Sequence, residues 1–221
     1  MVKKVDAVAL PQANGPAVQA HGGLVRVSVV VTGISPLLMN ALSEEQLLAI
    51  RSKIKAPKTA ARPALRDEAE SKLHLLSDGR PHLPASAFFK TLINAGQFVR
   101  LDGKRQISTA KSTILTGMLT LEEVTFPLYK PGSDDPATWE VDIQQGKNPN
   151  GGEAVCIVRP RFDAWEVRGV IEVDQTLMPL AMARDLFDIA GKRIGFLEFN
   201  PLHRGTFGRF VVTTWAVLSN G

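Results

Sequence analysis

The chain has 221 residues, 44% of them apolar and 22% charged, with 26 Lys and Arg against 22 Asp and Glu. That composition is ordinary for a globular protein able to build a core without staples, and it excludes a disordered or collagen-like chain. A single cysteine, Cys156, excludes an internal disulfide and fits a reducing compartment. No apolar run approaches the ~20 residues of a membrane helix, and the N-terminus lacks a secretory apolar stretch. A cytoplasmic protein with no membrane partner is expected.

Residues 1–23 mix Pro, Gly, Ala and Gln and read as a flexible leader to a single domain over 24–218. Leu24 to Thr32 alternates and is β-branched, so a strand is predicted; Gly33 to Pro36 then turns the chain. Ser43 as N-cap and Gln46 at the capping-box position open a helix to about Ile54. From Arg51 to Arg66 the chain carries Arg51, Lys53, Lys55, Lys58, Arg62 and Arg66 with no acid. Such a run is either a solvated loop or a phosphate-binding arm. A second helix is predicted from Arg66 to Leu75.

A stronger helix is expected from Pro84 or Ala85 to Val99, where Phe88, Leu92, Ala95 and Val99 recur at helical spacing. Ser86 and Lys90 lie four apart, on one face of it. The polar stretch that follows contains Lys104, Arg105 and Lys111. Met118 to Leu128 reads as a strand. Lys130 to Gly152 reads as a long excursion in which Trp139 is the aromatic expected to be exposed. Glu153–Arg161 and Trp165–Asp174 read as strands paired with each other. A helix over Leu180–Ala190 is expected to stop at Gly191 as its C′ residue, with strands at Ile194–Phe199 and Thr206–Leu218 after it.

Trimmed of insertions, this order is β-α-β-β-α-β. The predicted class is α+β, a ferredoxin-like (RRM-like) core whose antiparallel sheet is covered by helices on one face. The other face is then free, a common platform for RNA.

No phosphate-loop, nucleophile-elbow or zincin signature occurs. Four histidines and one cysteine lack metal-ligand spacing, so neither a metal nor a cofactor is expected. Two distant segments suit a phosphate grip. One is the first turn of the helix bearing Ser86 and Lys90, where backbone amides attract anions. The other holds Gly191, Gly195, Gly205 and Gly208 among Lys192, Arg193, Arg204 and Arg209, where glycines admit close approach and positive φ. Ser86 and Lys90 also have the spacing of a nucleophile and its base, although phosphate binding explains them more simply. His203 beside Arg204 suits a general base with a cation for charge, or is a plain loop residue.

Gly33-Ile34-Ser35-Pro36-Leu37, Leu83-Pro84-Ala85-Ser86-Ala87-Phe88-Phe89-Lys90 and the stretch Gly191 to Phe210 together resemble the RAMP superfamily of CRISPR-associated proteins, especially its guide-RNA backbone subunits. The resemblance implies a helical insertion, here 41–81, and a thumb-like excursion, here 129–152. It also implies single-stranded guide RNA, target nucleic acid, copies of the chain arranged head to tail, and other effector subunits as partners. Ala-Phe-Phe-Lys before the helix lysine and Gly-Thr-Phe-Gly in the last loop depart from the family's usual pattern. Some members cleave target RNA with an aspartate in the loop after the first strand; Asp67 or Asp78 could sit there, but neither falls in an alignable motif, so a non-catalytic RNA-binding subunit is expected. Two rivals stand beside it. One is a metal-independent guide-processing endoribonuclease of the same superfamily, with His21 or His203 as the histidine. The other is an interaction protein whose basic arm meets an acidic partner.

Overall fold

The computed structural model describes residues 23–42, 44–52, 63–147, 152 and 154–219. In chain order the elements begin with β1 (Leu24–Gly33), β2 (Leu37–Leu38), α1 (Glu44–Ser52), α2 (Leu65–Glu70), β3 (His82–Pro84) and α3 (Ala85–Ala95). They continue with β4 (Arg100–Leu101), β5 (Arg105–Gln106), β6 (Leu119–Leu121), β7 (Thr125–Tyr129), β8 (Glu140–Lys147), β9 (Ala154–Phe162), β10 (Glu166–Asp174), α4 (Leu180–Ile189) and β11 (Phe210–Val217).

The main sheet runs β11-β1-β10-β7-β3, and β6 also pairs with β10. β1 pairs antiparallel with both β10 and β11. β10 pairs antiparallel with β6 and β7. Counting β6–β7 as one interrupted strand, the spatial order is fourth, first, third, second, with α3 and α4 as the two crossovers. That is the ferredoxin-like topology. Strand alternation sends Val27, Val29 and Val31 inward with Val167, Ile171 and Val173. Phe88, Leu92 and Ala95 of α3 and Ala183, Leu186 and Phe187 of α4 close the same core. Its centre is aromatic: Phe88 lies 4.9 Å from both Phe126 and Phe196, and Phe196 stacks on Phe210 at 4.5 Å.

Two insertions decorate this core. The stretch 41–81 holds α1 and α2. The long excursion is a hairpin, β8 against β9, and β2 extends it into a separate sheet of order β2-β9-β8. β9 therefore pairs with β8 and not, as the sequence suggests, with β10. Both edges of β10 are taken, by β1 on one side and by β6 and β7 on the other, so β9 has no edge to join. The hairpin thus runs on to Phe162, beyond the expected 152. Trp165 marks the change of sheet; it is fully buried, and its indole N–H donates to the Ser35 carbonyl at 2.9 Å.

Other expectations fail for local reasons. Ile194 to Phe199 is not a strand, because Gly195, Leu197 and Phe199 all have positive φ, incompatible with extended backbone. The helix does not stop at Gly191. It passes into a π turn, Ala190–Ile194, and ends at Gly195 with φ +74°. The last strand starts at Phe210 because Gly208, at φ +69°, breaks what precedes it. The expected strand over 118–128 is cut in two at Glu122–Val124, where the Glu123 carboxylate takes the Val170 N–H at 3.0 Å. α3 ends at Ala95 with Gly96 as its C-cap rather than at Val99; beyond it the carbonyls of Gly96 and Val99 accept from the N–H groups of Ser108 and Ile107, each at 3.1 Å, rather than from another helical turn. α2 ends at Glu70, short of Leu75. Trp139 is half-buried against the core and covered by Arg66, whose guanidinium sits 3.6 Å from the ring centroid. The leader over 1–22 and the cap at Ser43 lie outside the described residues.

Candidate nucleic-acid interface

The two segments singled out in the sequence meet. α3 packs its Ala87, Lys90, Thr91 and Asn94 face against the loop after α4, and the Thr91 hydroxyl donates to the Gly195 carbonyl at 3.2 Å. Between them lies a cleft of about 210 Å³, closed on the loop side by Ile194, Leu197, Glu198, Asn200, Leu202 and His203. The volume is below the ~300–1,000 Å³ of drug-sized pockets, so the cleft suits a small group such as a sugar or phosphate.

The loop owes its shape to backbone crowding. A Cβ at Gly205 would lie 1.7 Å from the Phe199 carbonyl oxygen, one at Gly191 2.2 Å from that of Phe210, and one at Gly208 2.1 Å from that of Phe196. These glycines are therefore demanded by close approach to the protein's own backbone, not to a ligand. Leu197, Phe199 and Arg204 hold positive φ without being glycine, a strained state that the packing on either side maintains.

Lys90 is exposed in the cleft and has no carboxylate partner among the described residues. Ser86 is exposed one turn earlier and does not line the cleft. Arg204 follows His203 directly and is exposed. Lys192 and Arg193 are exposed on the π turn that leads to Ile194, with the Arg193 guanidinium 5.4 Å from the Phe98 ring centroid. Arg209 is half-buried; its backbone N–H donates to the Ser35 hydroxyl at 2.9 Å, and its Nε is buried without a hydrogen-bond partner. Lys104, Arg105 and Lys111 are exposed after α3 and do not line the cleft. Arg51 is exposed at the end of α1, and Arg66 is occupied by Trp139. Lys53, Lys55, Lys58 and Arg62 lie outside the described residues.

Several cleft residues carry no sequence signature. Asn200, 5% exposed, holds the loop together. Its Nδ2 donates to the carbonyls of Leu197 at 2.9 Å and Gly195 at 3.3 Å, and its Oδ1 faces His203 Nδ1 at 3.0 Å. Glu198 is bound by Arg159 Nη2 at 3.2 Å. Arg159 comes from β9, is nearly buried, and also stacks over Phe199 at 4.6 Å, so one residue ties the hairpin to the cleft loop. The only clue to Asn200 was an Asn-Pro pair, an ordinary turn signal.

The opposite, helix-free face of the sheet differs from the platform expected there. Arg26 faces Glu172, and Thr32 faces Glu166, across β1 and β10. Arg26 grips Glu122 through both Nε and Nη2, and this hydrogen bonding holds the Glu122 carboxyl below its usual range. Arg168 binds Glu166 and Asp134 and covers the Tyr129 ring at 4.7 Å. Among the described residues, Arg26 and Arg168 on this face are paired with carboxylates, and Tyr129 is covered by Arg168 rather than bare for a base to stack on.

No metal-ligand cluster and no helix long and apolar enough to cross a membrane occur among the described residues. No protein-family model and no curated protein matches the chain. Among solved structures it is similar to a chain of the Type III-B Cmr-beta bound to cognate target RNA, with a TM-score of 0.44 and 11% identity over 89% of this chain. The match spans 61% of that chain.

Proposed function

We propose that this protein binds the backbone of single-stranded RNA as a non-catalytic subunit of an RNA-guided, CRISPR-type effector assembly, with copies arranged along the RNA. The observation that carries the reading is the cleft where Lys90, free of any carboxylate among the described residues, meets the loop bearing Lys192, Arg193 and Arg204. A cation not paired with a carboxylate is what a phosphate needs, whereas cations already spent on carboxylates contribute little; Lys90 lines the cleft, and Lys192, Arg193 and Arg204 sit on the same loop outside its lining. The ferredoxin-like order of strands and the hairpin beside it agree with the superfamily that the three sequence segments resemble.

The test is equilibrium binding of a labelled single-stranded RNA across a salt series. Affinity falling steeply with salt supports the reading, because each neutralised phosphate adds ~0.7 to the logarithmic slope for single strands. Sedimentation of the same mixtures reports whether successive copies load onto longer RNA. A flat salt response, or no binding, returns the chain to the class of interaction proteins.

A further inference from the structure

The amide of Asn200 can be oriented without ambiguity. Its Nδ2 faces two carbonyl oxygens, Leu197 at 2.9 Å and Gly195 at 3.3 Å, and carbonyls only accept. The other end of the amide is therefore the oxygen, and it lies 3.0 Å from His203 Nδ1. An amide oxygen only accepts, so Nδ1 must carry the proton. In the neutral form of the ring the lone pair is then on Nε2. His203 is exposed at the cleft wall, and Nε2 has no partner among the described residues.

Among the described residues the cleft thus contains the cation Lys90, the amide of Asn94, which both donates and accepts, and two groups that only accept: His203 Nε2 in the neutral ring and the carboxylate of Glu198, which Arg159 neutralises at 3.2 Å. A site lined with phosphate-binding groups alone would not contain acceptors, because a phosphate oxygen and an imidazole lone pair repel. A ligand that brings a hydrogen-bond donor beside its negative charge satisfies both kinds of group. A nucleic-acid backbone has one such donor, the ribose 2′-hydroxyl, which DNA lacks.

We infer that His203, held by Asn200 in the Nδ1–H tautomer, accepts a hydrogen bond from a ribose 2′-hydroxyl while Lys90 holds the adjoining phosphate, so that the cleft selects RNA over DNA. The inference rests on the nucleic-acid reading above and adds to it the sugar that is read and the residue that reads it.

The experiment compares the unaltered full chain with three labelled oligonucleotides of one sequence: RNA, DNA and 2′-O-methyl RNA. One hydrogen bond of this kind corresponds to about a three- to tenfold preference. RNA is expected to bind that much more tightly than either of the others, since methylation removes the donor and keeps the phosphates. In His203→Ala the ratio of RNA to DNA affinity should fall to about one, whereas Lys90→Ala should weaken both and keep the ratio. Equal affinity for all three oligonucleotides overturns the inference and leaves backbone binding standing. A ratio unchanged in His203→Ala overturns it too. No binding to any of them removes both this inference and the reading it rests on. The comparison of oligonucleotides needs no substitution, so it decides the matter even if a variant fails to fold.

Discussion

The Thr91 hydroxyl donates to the carbonyl of Gly195 at 3.2 Å, across 104 residues of sequence. Thr91 is buried and also reaches the Ala87 carbonyl, so its hydroxyl is a clamp between α3 and the turn that ends the π helix. Lys90 is the next residue toward the N-terminus, on the exposed side of the same turn. The clamp holds the helix turn that carries Lys90 against the turn at Gly195, and a cleft held rigid binds with less ordering cost than two mobile arms.

On the proposed function, that geometry makes Lys90 the cation expected to respond most to substitution. Lys90→Ala is expected to weaken RNA binding and to lower the salt slope by about 0.7, the loss of one phosphate contact on a single strand. Arg66→Ala, whose cation already covers Trp139, is expected to change the slope little. Fluorescence anisotropy titrations at four or more salt concentrations check both, and an unchanged slope in Lys90→Ala would remove the lysine from the interface.

The loop glycines should answer to backbone crowding. Gly205→Ala sets a Cβ 1.7 Å from the Phe199 oxygen, and Gly208→Ala sets one 2.1 Å from the Phe196 oxygen at φ +69°. Each is expected to cost at least about 1–3 kcal/mol, the scale of local backbone strain. Gly117→Ala meets nothing within 4 Å and has ordinary φ, so a change within about 0.5 kcal/mol is expected. Urea midpoints for the three variants give the comparison; equal midpoints would show that the loop yields freely.

Glu123 substitutes for a missing strand partner. Its two carboxylate oxygens each lie 3.0 Å from the Val170 N–H, where β6 has ended and β7 has not begun. Glu123→Ala leaves that N–H without its acceptor and is expected to cost about 1–3 kcal/mol. Glu123→Gln keeps a carbonyl oxygen and should lose much less. Thermal unfolding distinguishes them, and equal losses would mean that charge rather than hydrogen bonding matters at this position.

His74 and His82 make stability depend on pH. Their rings lie 5.8 Å apart, and His82 Nδ1 is buried without a hydrogen-bond partner. Burial lowers both pKa values below the ordinary 6.5, and for His74 the neighbouring His82 adds to this. A histidine with a lowered folded pKa binds fewer protons folded than unfolded. Its contribution is complete above the unfolded value and is lost as pH falls through the folded one. Tm is expected to drop between pH 7.5 and 5.5, before most carboxylates titrate. The drop should shrink when both residues are replaced by asparagine. The same decline in that double variant would assign it to other groups.

Much of the fold was legible because it depends on short-range periodicity. The alternation of β1 and the helical spacing of Phe88, Leu92 and Ala95 each report which side of one element is apolar, and the order of such elements suffices for βαββαβ. The partner of β9 was not legible. A β-branched run specifies a strand but not its neighbour, and the neighbour was decided by β10 having no free edge. The break at Glu122–Val124 was hidden for the same reason, since it is seen only once Val170 shows an N–H that no strand covers.

The candidate cleft divides along the same line. Lys90, the glycines and the loop cations were visible in the sequence as residue types suited to phosphate. The reason for the glycines was not, because crowding against the carbonyls of Phe196 and Phe199 exists only in the folded loop. Sequence by itself determined the class of fold, the absence of an internal disulfide and the two segments whose residue types suit a phosphate, since each follows from composition or from spacing within one element. Only the tertiary structure decided that those segments meet, that Arg26 and Arg168 on the open sheet face pair with carboxylates, and that Asn200 sets the tautomer of His203. Each of these depends on atoms brought within about 3 Å by packing, and hydrogen-bond direction at that range is not encoded in the spacing of residues along a chain.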